Sequence, residues 1–216
     1  MKNADFREKF IAAVRSLFNP AIHFFVKFDL NPNWLTTLSL LLCLIASFYF
    51  ARGSFRWAAF LLMIGGVFDM IDGQVARASN RVTRFGALYD STLDRFAEIF
   101  IFIGISMHVI EADVLPEIAL GVKSAVLMLA VSGSLMVSYV RARAESLDFE
   151  CKKGLLQRPE RFVLLIVSAL ISKTVLMLVL VFLAVFTYYT ALQRLIYVFR
   201  HANARKWEYI KDAGHE

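Results

Sequence analysis

The sequence has little charge and almost no cysteine. Only 19% of its 216 residues are charged, and 58% are hydrophobic, whereas soluble domains carry about 25% charged residues. The apolar excess excludes a disordered protein, and two cysteines are too few for a disulfide scaffold. Six membrane spans of about 20 residues would use about 120 apolar residues, which is close to the apolar content of this chain. We therefore expect an integral membrane protein rather than a soluble enzyme.

The remaining bulk features fit the same class. Cys43 lies in an apolar run and Cys151 in a basic loop, so no disulfide is expected. The first ten residues lack the apolar core of a signal peptide. The net charge of +6 comes without an aromatic and basic nucleic-acid motif. The basic residues are therefore better explained by membrane orientation than by nucleic-acid binding.

Six stretches are expected to span the membrane as helices. They are Trp34–Phe50, Trp57–Arg77, Phe85–Met107, Ser124–Val140, Phe162–Ile171 and Thr174–Leu192. The fifth is short, but without it the basic C-terminal segment would lie outside. With both termini in the cytoplasm, 19 of the 24 Lys and Arg residues face inward and the acidic turn Glu111–Glu117 faces outward. This distribution follows the positive-inside rule.

The predicted fold is thus an all-α integral membrane protein with six transmembrane helices and an N-terminal amphipathic surface helix. Residues 2–18 space their apolar side chains at helical intervals with charges opposite, which predicts a helix on the inner surface. We divide the chain into a juxtamembrane helix (1–20), a six-helix catalytic domain (21–202) and a cytoplasmic tail (203–216).

Four aspartates fall at the inner ends of the second and third spans, where charge is costly and usually functional. At 100° per residue, Asp69 and Asp72 share one helix face with Gly73 and Ala76. On the next helix Gly86, Asp90 and Asp94 form a single stripe. A short connecting loop would bring both stripes together. For Arg95 and Glu98, mutual neutralisation and a functional role remain equally open.

Four carboxylates in one pocket require cations, and oxygen ligands favour Mg²⁺, Mn²⁺ or Ca²⁺. The glycines leave room beside the backbone, and Arg77 at the mouth offers a guanidinium to phosphate oxygens. This combination indicates a substrate containing pyrophosphate.

The pattern Asp69-x2-Asp72-Gly73-x2-Ala76-Arg77-x8-Gly86-x3-Asp90-x3-Asp94 resembles the signature of the CDP-alcohol phosphotransferases at every fixed position. Members of that family join a CDP-linked lipid to a small alcohol and release CMP. The resemblance implies two metal ions, Mg²⁺ with Mn²⁺ as an alternative. It assigns Asp69, Asp72 and Asp90 to the first and Asp69, Asp90 and Asp94 to the second. Asp94 would also accept the proton of the acceptor hydroxyl.

The resemblance also implies a binding site for the CDP-linked lipid. Its expected residues are Pro32, Asn33, Trp34, Leu35, Gly73, Ala76, Arg77, Thr83 and Gly86. Pro32 to Leu35 and Thr83 lie outside the signature, so a plain helix start and a loop residue remain alternatives for them.

A second constellation lies at the inner ends of the fourth and fifth spans. Ser138, Arg141 and Arg161 place a hydroxyl and two guanidiniums beside the carboxylates, which suits an acceptor carrying its own phosphate. The stretch resembles prokaryotic phosphatidylinositol phosphate synthases, although Lys is usual there at Arg141 and Glu is frequent at Gln157. A further arginine completes the phosphate site in that group. Arg200 is our candidate, with Arg194 and His201 as alternatives.

The sequence therefore predicts an inner-membrane enzyme, active at the cytoplasmic face and expected as a homodimer by resemblance. It would transfer a phosphatidyl-type group from CDP-diacylglycerol to inositol 1-phosphate. The first alternative is phosphatidylglycerophosphate synthesis from glycerol 3-phosphate. A metal or ion transporter is the non-enzymatic alternative, disfavoured because the carboxylates form no path across the membrane. The lipid core, diacyl or ether-linked, is left open.

Overall fold

The structure, a computed structural model, describes residues 18–111, 116–149, 151, 154 and 156–213, with side chains up to residue 202. These residues form seven helices and no strand. The helices are α1 (18–27), α2 (Pro32–Ala51), α3 (Phe55–Ala78), α4 (Arg84–Glu111), α5 (Leu120–Glu145), α6 (Arg158–Ile171) and α7 (Lys173–Ala213). The prediction of an all-helical protein is confirmed, and each of the six predicted spans lies largely within one helix from α2 to α7.

Local sequence signals explain where the helices near the site begin. At the start of α2 the Asn31 side chain accepts the backbone N–H of Asn33 at 3.0 Å, and Pro32 occupies the first turn. At the start of α6 the backbone N–H of Gln157 donates to the Glu160 carboxylate at 3.0 Å, which satisfies a group that the helix itself cannot bond. Both starts lie at the end of the bundle that carries the aspartates.

Packing brings α2 against α3 and α4, α5 against α7, and α6 against α3 and α7. The main core contains side chains from all six long helices, among them Phe50, Leu62, Ile105, Leu165 and Leu180. A second, smaller cluster joins α1 to α2 and α3 next to the aspartates; it consists of Ile22, Leu35, Ile71 and Val75. The helix ends that carry the polar residues are therefore held by apolar contacts on two sides.

Large apolar side chains also cover the outside of the helices, as expected for a surface that faces lipid. Four helical segments among the described residues are long and apolar enough to cross a membrane. They are Pro32–Ala51, Phe55–Ala78, Leu120–Glu145 and Lys173–Ala202. Two helices of the bundle are not among these four. Helix α4 carries four charged residues between 90 and 98, and α6 has only 14 residues. The six-span count and the orientation remain predictions.

The predicted surface helix of residues 2–18 lies almost wholly outside the described residues. The predicted tail from 203 onward begins as helix, because α7 continues to Ala213.

Candidate active site

Three of the four predicted aspartates converge where α3 and α4 meet. One carboxylate oxygen each from Asp69, Asp72 and Asp90 lies within 4.8 Å of the other two. Asp72 is buried, with 5% of its surface exposed, and the other two are half-buried. Since all the ligand atoms are carboxylate oxygens, the group suits a hard divalent cation such as Mg²⁺ or Mn²⁺. The helical spacing of the sequence thus brings together three of the four carboxylates that were expected to converge.

Asp94 falls outside this group of three and lies beside it, in contact with an arginine. Nη1 of Arg158, the first residue of α6, is 2.5 Å from Oδ2 of Asp94. The same nitrogen donates to both oxygens of Asp69, at 3.0 and 2.9 Å. Arg158 therefore bridges two of the four carboxylates and supplies positive charge to the site.

Sequence reasoning counted Arg158 among the inward-facing basic residues and in the stretch that ends at Arg161, but gave it no role in the site. Its signal was weak, since a charged first residue of a helix at the membrane surface is ordinary. Thr36 on α2 was missed as well. Its Oγ1 donates to Oδ2 of Asp72 at 2.6 Å, and both residues are 5% exposed. A threonine inside an apolar helix gives no indication that a carboxylate from another helix lies against it.

One cavity of about 260 Å³ opens beside Asp72 and Asp90. It is lined by seven of the nine residues expected to bind the CDP-linked lipid: Pro32, Asn33, Gly73, Ala76, Arg77, Thr83 and Gly86. The remaining two point elsewhere. Trp34 is 71% exposed on the outer surface, and Leu35 is 4% exposed in the small apolar cluster with α1. These two residues therefore fit their alternative as helix-start residues better than a role in this cavity.

Two of the predicted glycines, Gly73 and Gly86, line this cavity. The backbone N–H of Gly86 donates to the Thr83 hydroxyl at 2.9 Å, and a Cβ at Gly86 would lie 3.0 Å from that oxygen. At Gly73 the nearest group to such a Cβ would be the guanidinium of Arg77, 3.7 Å away. The Arg77 side chain thus lies across the glycine at the edge of the cavity.

A second cavity of about 430 Å³ lies on the other side of Asp90. Asp90 and Ala87 line both cavities, whereas Asp72 lines only the first and Asp94 only the second. The wall of the second cavity contains Ser138 and five arginines, namely Arg95, Arg141, Arg158, Arg161 and Arg194. The carboxylates therefore stand between a glycine-lined cavity and an arginine-lined one.

All three guanidinium nitrogens of Arg161, which was predicted to bind the acceptor phosphate, are hydrogen-bonded within the protein. Its Nε and Nη2 donate to the two oxygens of Glu98, at 2.8 and 2.9 Å, and its Nη1 donates to the carbonyl of Leu156. Arg161 and Glu98 are 1% and 2% exposed. Glu98 therefore pairs with Arg161, while Arg95 donates to the carbonyl of Ser91. Of the two open interpretations, neutralisation describes Glu98, with a partner from α6 instead of Arg95.

The arginine on α7 that lines the second cavity is Arg194, not Arg200. Arg194 is 3% exposed, and its Nη1 donates to the carbonyl of Val137 at 2.6 Å. Arg200 is exposed and lines a groove along α7 with His201. Six residues of helix turn the chain by 600°, so the two arginines point about 120° apart. The geometry thus replaces our candidate Arg200 with the alternative Arg194.

The other predicted acceptor residues are less constrained. Arg141 is exposed and its Nε donates to Glu145 at 2.8 Å, one helical turn away. Ser138 is half-buried, with its hydroxyl 3.5 Å from the carbonyl of Ser134. Both cysteines are free, as expected, and both are buried. Burial raises the pKa of the Cys151 thiol, which favours its protonated form.

Comparison with known proteins agrees with this geometry. The sequence model of the family described as CDP-alcohol phosphatidyltransferase matches residues 29–201. The archaetidylinositol phosphate synthase of Methanothermobacter thermautotrophicus is 36% identical over 192 residues, which covers 85% of this chain and 93% of that protein. The phosphatidylinositol phosphate synthase of Corynebacterium glutamicum is 36% identical over 150 residues, or 69% of this chain and 67% of that one.

Solved structures resemble the fold as well. The chain superposes on the Mycobacterium tuberculosis phosphatidylinositol phosphate synthase with CDP-DAG bound at a TM-score of 0.74 and 26% identity, covering 83% of this chain and 92% of that one. The same enzyme in complex with manganese and citrate gives a TM-score of 0.74 and 26% identity, with 83% and 88% coverage.

Proposed function

Because the chain belongs to the CDP-alcohol phosphatidyltransferase family, we propose that it transfers a phosphatidyl group from CDP-diacylglycerol to inositol 1-phosphate, releasing CMP and forming phosphatidylinositol phosphate. The observation that carries this proposal is the pair of cavities that meet at Asp90, one lined by glycines and the other by five arginines. A transferase needs two substrates on opposite sides of the reacting phosphorus. The transporter hypothesis is set aside, because the family is one of enzymes.

The first cavity suits the CDP end of the lipid. Gly73 and Gly86 let a pyrophosphate approach the backbone, and Arg77 offers a guanidinium to its oxygens. A relative of known structure binds CDP-DAG. Divalent cations bound by the aspartates would supply positive charge to the pyrophosphate and to the departing CMP. We assign Mg²⁺ to this role, with Mn²⁺ as the alternative, since manganese is bound in the related enzyme.

The reaction proceeds from the second cavity toward the first. Asp94 lines only the acceptor cavity and takes the proton of the acceptor hydroxyl. The hydroxyl oxygen then bonds to the phosphorus next to the lipid, and the bond from that phosphorus to the bridging oxygen of the pyrophosphate breaks. CMP leaves with the bridging oxygen, and the lipid phosphate remains joined to the acceptor.

The arginines of the second cavity favour an acceptor that carries its own phosphate. Arg141, Arg158 and Arg194 surround a space beside Asp94, and guanidiniums bind phosphate through paired hydrogen bonds. Inositol 1-phosphate is favoured over glycerol 3-phosphate because the curated relatives act on inositol phosphate. One of them makes an ether lipid, so the test includes both lipid cores.

The direct test measures CMP release by the purified protein in lipid vesicles. Each assay combines CDP-diacylglycerol or its archaeol counterpart with inositol 1-phosphate, glycerol 3-phosphate or free inositol, in Mg²⁺, Mn²⁺ or EDTA. We expect release with inositol 1-phosphate and a divalent cation, and none with EDTA. Release with glycerol 3-phosphate alone would replace the proposal with phosphatidylglycerophosphate synthesis.

The acceptor arginine of α7 has its own test. Arg194→Gln should raise the KM for inositol 1-phosphate by about tenfold, since a hydrogen bond to a charged group contributes about 1.5–3 kcal/mol. Arg200→Gln is the matched comparison, with the same change six residues further along α7. A larger effect from Arg200→Gln would restore the assignment made from the sequence.

The proposed setting is the inner membrane, with six spans, both termini in the cytoplasm and the active site at the cytoplasmic face. Residues 21–202 form the catalytic domain between the juxtamembrane helix and the tail. The CDP-lipid would enter sideways from the inner leaflet and the polar acceptor from the cytoplasm. We also propose a homodimer, in keeping with the family resemblance.

A further inference from the structure

Thr36 is a buried polar residue that contacts the carboxylate group without belonging to it. Its hydroxyl, on α2, donates to Oδ2 of Asp72 on α3 at 2.6 Å. A carboxylate oxygen only accepts, so the hydroxyl is the donor. A second contact from the same hydroxyl, to the carbonyl of Pro32, is longer at 3.4 Å. The bond to Asp72 is therefore the stronger of the two.

Asp72 cannot fix the direction of its own carboxylate. The terminal torsion of an aspartate has a broad energy minimum, so a free side chain turns easily about that bond. Thr36 is β-branched and lies inside a helix, where its own side chain has few allowed rotamers. The hydrogen bond from Thr36 therefore sets the plane of the Asp72 carboxylate relative to Asp69 and Asp90.

We propose that Thr36 is a positioning residue for the divalent-cation site, holding Asp72 in the orientation in which it binds the cation. The proposal rests on the metal-dependent function proposed above. Groups that hydrogen-bond a metal ligand typically change metal affinity 10- to 100-fold when they are removed. Thr36 also lines the cavity assigned to CDP, so it acts where the cation and that substrate meet.

A purely structural role is the competing explanation, because the bond also ties α2 to α3. Ser39 separates the two explanations. It lies one turn further along α2, is 4% exposed, and its hydroxyl donates to the carbonyl of Gly65 on α3 at 2.8 Å. Ser39→Ala removes a buried bond between the same two helices without touching a carboxylate.

The experiment titrates Mn²⁺ into the purified full-length protein in lipid nanodiscs and follows free Mn²⁺ by electron paramagnetic resonance. Thr36→Val should weaken Mn²⁺ binding about tenfold, whereas Thr36→Ser, which keeps the hydroxyl, should stay close to the unchanged protein. Ser39→Ala should leave Mn²⁺ affinity unchanged. In the CMP-release assay Thr36→Val should need about ten times more Mn²⁺ for half-maximal rate and recover most of the rate at saturation.

The outcomes separate this inference from the proposed function. If the unchanged protein binds no Mn²⁺, the metal-dependent function itself fails. If it binds Mn²⁺ and Thr36→Val binds equally well, only the role of Thr36 is overturned. Should Thr36→Val not fold, Thr36→Cys keeps the side-chain volume with a weaker donor. Its affinity should then fall between those of the unchanged protein and a tenfold loss, and full affinity would overturn the role.

Discussion

At the scale of single residues, position relative to the two cavities separates the four aspartates. Asp72 lines only the CDP cavity, Asp90 both cavities and Asp94 only the acceptor cavity, whereas Asp69 lines neither. Their places in one sequence signature do not reveal this division. In the proposed mechanism the carboxylates near the pyrophosphate bind the cations, and Asp94, which lines only the acceptor cavity, accepts the proton of the acceptor hydroxyl.

Replacing Asp94 with asparagine tests its role as a base. Asn keeps the shape but cannot take up a proton, so kcat should fall by about 10²- to 10⁴-fold. Mn²⁺ binding through Asp69, Asp72 and Asp90 should persist in the same variant. Glu117→Gln, an exposed change outside both cavities, is the control. If Asp94→Asn retained the full rate of CMP release, another group would have to accept the proton.

Arg158 lies between Asp69 and Asp94 and supplies part of the positive charge that these carboxylates need. All three side chains are half-buried, and removing the guanidinium leaves two neighbouring carboxylates without their partner, so Arg158→Gln should lower the unfolding temperature in EDTA. Mn²⁺ should recover most of that loss, because a bound cation supplies the same charge. The rise in unfolding temperature on adding Mn²⁺ should therefore exceed that of the unchanged protein.

Thermal unfolding followed by tryptophan fluorescence in detergent gives both temperatures. Arg143→Gln is the matched control, since Arg143 is exposed and contacts Ser146 outside the two cavities. Equal Mn²⁺-induced rises in Arg158→Gln and the unchanged protein would show that Arg158 does not compensate the carboxylates.

At the scale of helices, α4 carries Asp90 and Asp94 and is positioned by close contact with α2. A Cβ at Gly104 would lie 2.1 Å from the backbone oxygen of Ser47 on α2. No side chain fits that gap, so the glycine sets the spacing of the two helices. Thr36 on α2 is also bonded to Asp72 on α3. The spacing between α2 and α4 therefore affects where the aspartates of α4 lie relative to those of α3.

Gly104→Ala tests this spacing. The extra methyl group must push α4 away from α2, and overpacking of this kind typically costs about 1–3 kcal/mol. We expect a lower unfolding temperature and slower CMP release, since Asp90 and Asp94 move with the helix. Gly66→Ala on α3 is the matched control, because a Cβ there meets nothing within 4 Å. A Gly104→Ala protein as stable and active as Gly66→Ala would contradict the argument.

The sequence predicted the features that depend on a single helix. These are the stretches of chain that form each helix and the residues that share one helix face. Asp69 with Asp72, and Asp90 with Asp94, were predicted in this way. Contacts between helices distant in sequence were not. Thr36 meets Asp72 across 36 residues and Arg158 meets Asp69 across 89, and no spacing rule encodes such distances. Arg200 was chosen over Arg194 because the rotation of α7 relative to the bundle cannot be read from its own sequence.

At the scale of the whole molecule, the polar site occupies one end of an apolar bundle. Both cavities lie at the end where α3 finishes, α4 begins, α5 finishes and α6 begins. The helix ends and the connection between α3 and α4 at that end carry Arg77, Arg81, Arg84, Arg141 and Arg143. The positive-inside rule therefore predicts that this end faces the cytoplasm, from which a soluble sugar phosphate would enter and into which CMP would leave.

Single-cysteine labelling tests the orientation and the span count together. The native thiols of Cys43 and Cys151 are 1% and 0% exposed, so a membrane-impermeant maleimide should leave them unmodified in intact cells. Introduced thiols at exposed positions should react according to side. Glu117→Cys, between α4 and α5, should react in intact cells, and Ser146→Cys, after α5, only once the membrane is permeabilised.

Labelling of Ser172→Cys tests whether the short helix α6 crosses the membrane, because Ser172 is exposed in the turn between α6 and α7. The 14 residues of α6 rise about 21 Å at 1.5 Å each, which is less than the roughly 30 Å of a bilayer core. If α6 nevertheless crosses, with the preceding loop and the bilayer adjusting, Ser172→Cys reacts from outside like Glu117→Cys. Reaction only after permeabilisation would instead show that α6 does not cross and lies on the inner side. The chain would then have an odd number of spans, and α7 would end outside. The basic residues 194 to 211 would then face away from the cytoplasm, against the charge distribution on which the predicted topology depends.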